Sequence, residues 1–250
     1  MASPGDNYEQ TFKRYNFYTI FLPVLTCSYI NQDDLIQLLQ SSPYNTYSGL
    51  IFTSRNAILA FRESILSIDK EEYQKILSMT VYTVGPSCHR EAISLGFSEV
   101  YGKESGNAED LSNFIISYHK NKNPVLFLGG ERRMDTLRKR LSSSCITLRE
   151  LAIYKMNEVI GFENNFSKII YNKGLNIDWI VFFSPYGSDI VMKYIKNEDL
   201  SKFKIATIGF TTSRHLNDKW NIKTNVMSQS PQAISLLKGI LDYEENTIEG

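Results

Sequence analysis

The sequence predicts an α/β fold in two similar domains, each a mainly parallel sheet flanked by helices. Short apolar runs alternate with amphipathic segments along most of the chain, the rhythm of βαβ crossovers. Two of the runs share one pattern: Leu50-Ile51-Phe52-Thr53-Ser54-Arg55-Asn56 and Trp179-Ile180-Val181-Phe182-Phe183-Ser184-Pro185 both pass from apolar residues through a hydroxyl residue into helical periodicity. Two more pairs follow in the same order, Val81–Ser87 with Ile205–Thr212 and Ser105–Leu111 with Ser228–Ile234. All three pairs recur at offsets of roughly 120 to 130 residues, so the halves read as duplicates.

The elements follow in order. Residues 8–15 have helical spacing, and 17–26 is an extended candidate whose Pro23 marks an edge strand or a strand end. Asp33 and Asp34 ahead of Leu35, Ile36, Leu38 and Leu39 predict a helix over 33–40, and 41–48 is rich in turn residues. From Gly49 the pattern predicts strand 49–53, helices 55–66 and 70–77, strand 80–84, helix 86–95, strand 98–101, helix 108–120, strand 124–128 and helix 131–141. Cys145–Met156 is a β-rich run leading out of the first half. The second half gives helix 164–172, strand 179–183, helix 188–195, strand 205–208 and helices 212–218 and 231–241, with no pattern that demands order after Asp242.

Composition excludes several classes. Lys plus Arg and Asp plus Glu are 27 each in 250 residues, so no whole-chain field recruits nucleic acid or a membrane surface. Cys27, Cys88 and Cys145 are too few and scattered for a disulfide framework, and no Cys/His cluster suggests a metal. No apolar run approaches membrane-spanning length, and Met1–Asp6 lacks the basic flank and apolar core of a signal peptide. A cytoplasmic chain is expected.

In parallel sheets, loops at the carboxyl ends of strands line the binding crevice, because helix amino termini and free N–H groups converge there. Ser54, Pro86-Ser87, Gly129-Gly130, Ser184-Pro185 and Phe210-Thr211 all fall at such points. Taken singly, Ser54, Ser87, Ser184 and Thr212 read as helix N-caps. Taken together, at equivalent points of two halves, they give a surface of neutral donors suited to carboxylates. In the basic run Glu131–Arg140, Arg138 to Arg140 read as a solvated helix face. Arg132 and Arg133, expected on the first helical turn, are divided between that role and an anion contact.

Tyr154 lies in a strand-like run between the halves, where it either packs between domains or presents its hydroxyl to a ligand. Neither GxGxxG nor GxxxxGK[ST] occurs, which speaks against a nucleotide site. His89, His119 and His215 are dispersed and Ser184 lacks a glycine-flanked elbow, which speaks against a nucleophilic triad. The first-turn position of Cys88 would lower its pKa, although an inert buried thiol is the commoner state.

The stretches GLIFTSRNAI (49–58), VYTVGPSCHREAISLGF (81–97), LFLGGERRMDTLRKRL (126–141), ELAIYK (150–155), DWIVFFSPYGS (178–188) and IATIGFTTSRHL (205–216) together resemble the uroporphyrinogen-III synthase family, over about residues 20 to 241. The resemblance implies one domain inserted in the other, joined by two extended connectors near Cys27–Ile30 and Ala152–Met156, with an active site in the cleft between them. The outer domain would comprise 1–27 and 157–250, and the inserted one 28–156. The implied reaction is cyclisation of hydroxymethylbilane with inversion of its last pyrrole ring and loss of water, through an azafulvene and a spiro-pyrrolenine. It uses no cofactor, and a monomeric enzyme is expected.

The same resemblance matches the family's candidate proton donor to Tyr154; the ordinary tyrosine pKa of about 10 keeps such a donor protonated at neutral pH. It assigns substrate contacts to Ser54, Ser87, Cys88, Ser184, Pro185, Tyr186, Lys204, Thr211 and Thr212, with Arg55 and Arg132 as further anion contacts. Arg55 and Phe210 replace prolines usual in the family, and Cys88 a frequent threonine. Met1–Gln10 shows no counterpart of the family's first strand, so either the outer sheet lacks one strand or the sequence starts short of its natural beginning. The alternative function is a degenerate, non-catalytic two-domain protein that closes on a small anionic ligand.

Overall fold

Apolar runs rich in Ile, Val and Phe become strands, and the amphipathic stretches between them become helices, in a computed structural model that describes residues 5–120, 122–195 and 197–248. The chain opens with α1 (Asn7–Lys13), capped by the Asp6 carboxylate, which accepts from the N–H groups of Tyr8 and Glu9. There follow β1 (Leu25–Tyr29), α2 (Gln32–Gln40), the single turn α3 (Pro43–Thr46), β2 (Gly49–Phe52), α4 (Arg55–Ile65), α5 (Lys70–Leu77), β3 (Val81–Thr83) and α6 (Gly85–Leu95). Next are β4 (Val100–Tyr101), α7 (Ala108–Tyr118), β5 (Val125–Gly130), α8 (Thr136–Ser143) and β6 (Leu148–Glu158). The remainder is α9 (Phe162–Ile170), β7 (Trp179–Phe182), α10 (Pro185–Val191), α11 (Asn197–Leu200), β8 (Lys204–Thr207), α12 (Phe210–Trp220), β9 (Val226–Met227) and α13 (Ala233–Ile248).

Two units result: Cys27–Asn157, and Met1–Thr26 together with Glu158–Gly250. The first holds a six-stranded sheet in the order β1-β6-β5-β2-β3-β4. The β6–β5, β5–β2, β2–β3 and β3–β4 pairs are parallel. Ile30 N–H donates to the Ile153 carbonyl and Val159 N–H to the Val24 carbonyl, so β1 and β6, the two crossings between units, run in opposite directions.

Helices cover both faces, and β2 and β5 are buried throughout, as central parallel strands are. Alternation splits their side chains. Leu50, Phe52, Leu126 and Leu128 join Leu35, Phe61 and Ile76 on one face, while Ile51, Val125 and Phe127 join Tyr82, Leu111 and Leu141 on the other.

The second unit has the parallel sheet β7-β8-β9, in the same sequential order as β2-β3-β4. Ile205 faces Phe162, Phe182, Ile190 and Leu216, and Ala206 faces Phe12, Val226, Leu236 and Ile240. Among the described residues this sheet has three strands and none from the N-terminal segment. Instead α1 packs by Phe12 against α13, and the Tyr8 ring meets Phe183 edge-on at 5.1 Å while its hydroxyl donates to the Pro231 carbonyl.

Several boundaries differ from the pattern-based expectation, each for a local reason. The 17–26 segment becomes a strand only from Leu25, beyond Pro23, which has no N–H to give a ladder. Helix α10 starts at Pro185, three residues before 188, because Ser184 caps it and the fixed φ of proline suits the first helical position. Helix α8 starts at Thr136 instead of 131, leaving Arg132 and Arg133 in the preceding turn. The short elements α3, α11 and β9 have no periodic signal of their own.

The tail beyond Asp242 is helical to Ile248, contrary to expectation, because it is tied to the sheet. Glu244 accepts from Lys204 Nζ at 2.6 and 2.7 Å and from Trp179 Nε1 at 2.7 Å, and the Tyr243 ring stands edge-on to Trp179. Residues 1–4 of the segment read as lacking a signal peptide, and 249–250 of the tail, lie outside the described residues. Among the described residues no helix is long and apolar enough to cross a membrane, and no group of three or more His, Cys, Asp or Glu could hold a metal ion.

Replacing Glu244 leaves Lys204 and the Trp179 indole without their shared acceptor at a partly exposed site, at a cost of about 0.5–1 kcal/mol. Glu244→Ala is therefore expected to speed hydrogen exchange of the 243–247 amides while leaving the Cys27–Asn157 unit unchanged. Wild-type exchange rates across α13 would show that the tie is not what orders the tail.

Candidate active site

The carboxyl ends of β5, β2 and β3 lie side by side in that order in the first unit and lead to Gly130, Ser54 and Ser87, and β6, which runs on to Glu158, places Tyr154 level with the end of β5. Ser54 leaves β2 in an extended conformation and caps α4, its Oγ accepting from Ala57 N–H at 3.2 Å. The same hydroxyl donates to Tyr154 Oη at 2.8 Å. Tyr154 thus accepts from Ser54, and its own proton remains for another acceptor.

Strand β5 separates β6 from β2, so the ring must cross the end of β5, over two strand spacings of about 4.8 Å each. It crosses at Gly130. A Cβ there would stand 2.8 Å from Tyr154 Cζ and 3.0 Å from its Oη, a contact that real side chains do not make. Gly130 is not among the residues with positive φ, so the ring, and not the backbone, requires glycine.

A β-bulge aims the ring. The β5–β6 register passes from Gly129↔Ala152 to Gly130↔Tyr154, leaving Ile153 as the extra residue. Leu148 packs on one face of the sheet, while Leu151 and Ile153 pack on the other with Leu50 and Phe52. Strict alternation would send Tyr154 to the side of Leu148. The bulge instead returns it to the Ile153 side, where Ser54 stands.

Below this crossing, Arg133 Nη1 donates to the Gly130 carbonyl at 2.7 Å and Nη2 to Glu150 at 3.2 Å, with the guanidinium 5.6 Å from the centre of the Phe127 ring. Arg138 also donates to Glu150. Burial raises the Glu150 pKa, but the hydrogen bonds from Arg138 and Arg133 outweigh it and hold the carboxyl below its ordinary range.

The second unit repeats part of this arrangement. Ser184 caps α10, accepting from Gly187 N–H at 3.0 Å, as Ser54 caps α4. Helices α6 and α12, after β3 and β8, begin instead at Val84 and Gly209, neither of which offers a side-chain cap. After the paired strands β2-β3 and β7-β8, each unit therefore presents a serine-capped helix and then one without a side-chain cap.

The structure does not gather every expected residue. Ser87 is exposed but is the third residue of α6 instead of its cap, and Thr212 is buried at the same position of α12 beside exposed Thr211. Cys88 is buried in the core with Ala92 and Phe97, and burial, then Glu91, pushes its thiol pKa up, reversing the helix-start effect. Pro185 is the first residue of α10, and Tyr186 packs on the Phe182 cluster. Arg55 is ion-paired to Glu91 at 2.7 Å beside a surface pocket of about 310 Å³ that Ser87 and Arg90 also line. Lys204 stands at the amino end of β8, opposite Thr211, and is held by Glu244. Arg132 is exposed in the turn before α8.

The family described as uroporphyrinogen-III synthase HemD matches residues 6–238. The chain belongs to the uroporphyrinogen-III synthase family. It is 33% identical over 248 residues to the uroporphyrinogen-III synthase of Schizosaccharomyces pombe, covering 98% of this chain and 94% of that relative. It is 31% identical over 262 residues to that of Saccharomyces cerevisiae, covering 97% and 94%. The fold is similar to the crystal structure of uroporphyrinogen-III synthetase from Helicobacter pylori, with a TM-score of 0.65 and 15% identity over 90% of this chain and 95% of that one.

Sequence reasoning placed Gly129-Gly130 at a crevice point and divided Arg133 between a solvated face and an anion contact, but connected none of Gly130, Arg133 and Glu150 with Tyr154 in this family member. The paired glycines after an apolar strand were the available signal, and they resembled a weak nucleotide motif more than a seat for a ring.

Because the Glu150 pKa lies lower in the folded chain than unfolded, its contribution to stability is full above the ordinary value of 4.5 and is lost as pH falls through the lowered folded value. Glu150→Gln should therefore flatten the acid limb of a plot of urea midpoint against pH. An unchanged slope below about pH 4.5 would show that the arginine pair does not bind the ionised form preferentially.

Proposed function

We propose that this chain cyclises hydroxymethylbilane to uroporphyrinogen III, with inversion of the last ring and loss of water, and that Tyr154 supplies the proton to the departing hydroxyl. The observation that carries the residue assignment is the Ser54–Tyr154 bond, in which the tyrosine accepts and keeps its own proton available. Ser54 fixes where that proton is delivered. Membership of the family supports the reaction.

Substrate carboxylates are held by the Ser87 N–H at the start of α6 and by the N–H groups of Phe210, Thr211 and Thr212 at the start of α12, while Cys88, buried and fourth in its helix, contributes neither its thiol nor its N–H. Ser184 and Pro185 shape the start of α10, with Tyr186 packed behind them. Arg55 and the exposed Ser87 hydroxyl offer a further contact at the pocket they share. Lys204 has no part in this arrangement, since it lies at the far end of its strand. Balanced charge supports a small-molecule substrate over a nucleic acid, and we take the enzyme to act as a cytoplasmic monomer without a cofactor.

The protein's work is then positional: it folds the linear tetrapyrrole, assists departure of the hydroxyl through one donor, and blocks the uninverted closure that occurs spontaneously. Incubation with freshly generated hydroxymethylbilane is expected to yield isomer III; isomer I alone, as in the blank, would reject the reading. Tyr154→Phe should lower kcat by about 10²-fold, the lower range for loss of a general acid, while lowering the thermal midpoint by only about 2–4 °C for the lost Ser54 bond.

A further inference from the structure

The geometry points to Gly130 and the Arg133–Glu150 pair as positioning residues that set the Tyr154 hydroxyl for reaction. The inference rests on the donor reading of Tyr154. Three independent features of the first unit converge on one ring. The bulge at Ile153 turns the ring to the face of Ser54, and Gly130 leaves the gap through which it passes. Arg133 fixes the edge of that gap by holding the Gly130 carbonyl while Glu150 holds the other side of its guanidinium.

Glu150 lies on the same strand as Tyr154, and Gly130 on the neighbouring one. The fork of Arg133 therefore ties the end of β5 to β6 beside the bulge, where ladder pairing is interrupted. Glu131 N–H adds a bond to the Tyr154 carbonyl at 2.9 Å. A methyl group at residue 130 would meet Cζ and Oη first, so the end of the ring that bonds Ser54 is the part that has to shift. Such a shift leaves the hydroxyl chemically intact and misplaced. Lysine at residue 133 would keep the charge but lack the planar fork that reaches Gly130 and Glu150 together.

The test is a set of thermodynamic squares built from steady-state kinetics with hydroxymethylbilane: wild type, Gly130→Ala, Tyr154→Phe and their double, with a second square using Arg133→Lys. Gly130→Ala is expected to lower kcat by about 10²-fold, with KM within about two-fold, because a misplacement of about 1 Å is enough for such a loss. In the Tyr154→Phe background, the same change should cost less than about two-fold, since no hydroxyl remains to misplace. Arg133→Lys should show the same dependence with a smaller loss, and it covers the case in which Gly130→Ala does not fold.

If Tyr154→Phe is slow but the losses multiply, the glycine and arginine act through stability alone and the inference fails while the donor reading stands. A wild-type rate for Gly130→Ala also overturns it. If Tyr154→Phe itself turns over at the wild-type rate, the donor reading fails, and the inference with it.

Discussion

The position of one hydroxyl depends on a tyrosine ring lying across the end of a strand that has no side chain there. Tyr154 reaches Ser54 over Gly130, two strands away in the sheet. The hydrogen bond alone would not hold it, because one such bond contributes about 0.5–1.5 kcal/mol. Overpacking by a single methyl group costs about 1–3 kcal/mol, so the steric gap outranks the bond in deciding where the ring can lie. The parallel order β6-β5-β2 is a precondition, since it sets a single strand, ending in glycine, between the strand that leaves the unit and the strand whose end carries the serine.

Duplication explains half of the chemistry, and its failure explains the other half. The ordered strands β2-β3-β4 and β7-β8-β9, each set with a serine cap after its first member and an uncapped helix after its second, give both units the same neutral donors. Strands β5 and β6 have no counterpart among the described residues of the second sheet, and neither does the tyrosine they seat. On the proposed reading, the proton donor is therefore single where the helix-start donors are paired. On the second sheet α1 and α13 cover the surface beside Trp179 and Val181.

Repetition and hydrophobic period made most of the fold legible, because buried parallel strands are written as continuous apolar runs such as Val125–Leu128. The caps at Ser54 and Ser184 were equally plain, whereas Ser87 and Thr212, expected as caps, stand third in their helices. Features made by long-range contact left no local trace: the tail helix depends on Lys204 and Trp179 meeting Glu244, and the delayed start of α8 accompanies the engagement of Arg133 with Gly130 and Glu150. Lys204 entered through the family resemblance, and only the fold shows that it stands at the amino end of β8, paired with Glu244. Gly130 was visible as a residue, but its meaning lies in a partner that a bulge delivers.

On the proposed reading, anion recognition falls to neutral groups where neighbouring cations are already paired: Arg55 faces Glu91, and Arg133 and Arg138 share Glu150. Each would have to exchange an existing carboxylate for one from the substrate, a replacement with little net gain at exposed pairs worth about 0–1 kcal/mol. Helix-start N–H groups exchange only water. A hydrogen bond to a charged group contributes about 1.5–3 kcal/mol, so a few of them match what a freed cation would supply. They are also directional, fixing where a carboxylate sits as well as whether it stays. A reaction whose product depends on which end of a flexible chain folds onto the other needs that directionality more than it needs a strong, diffuse field.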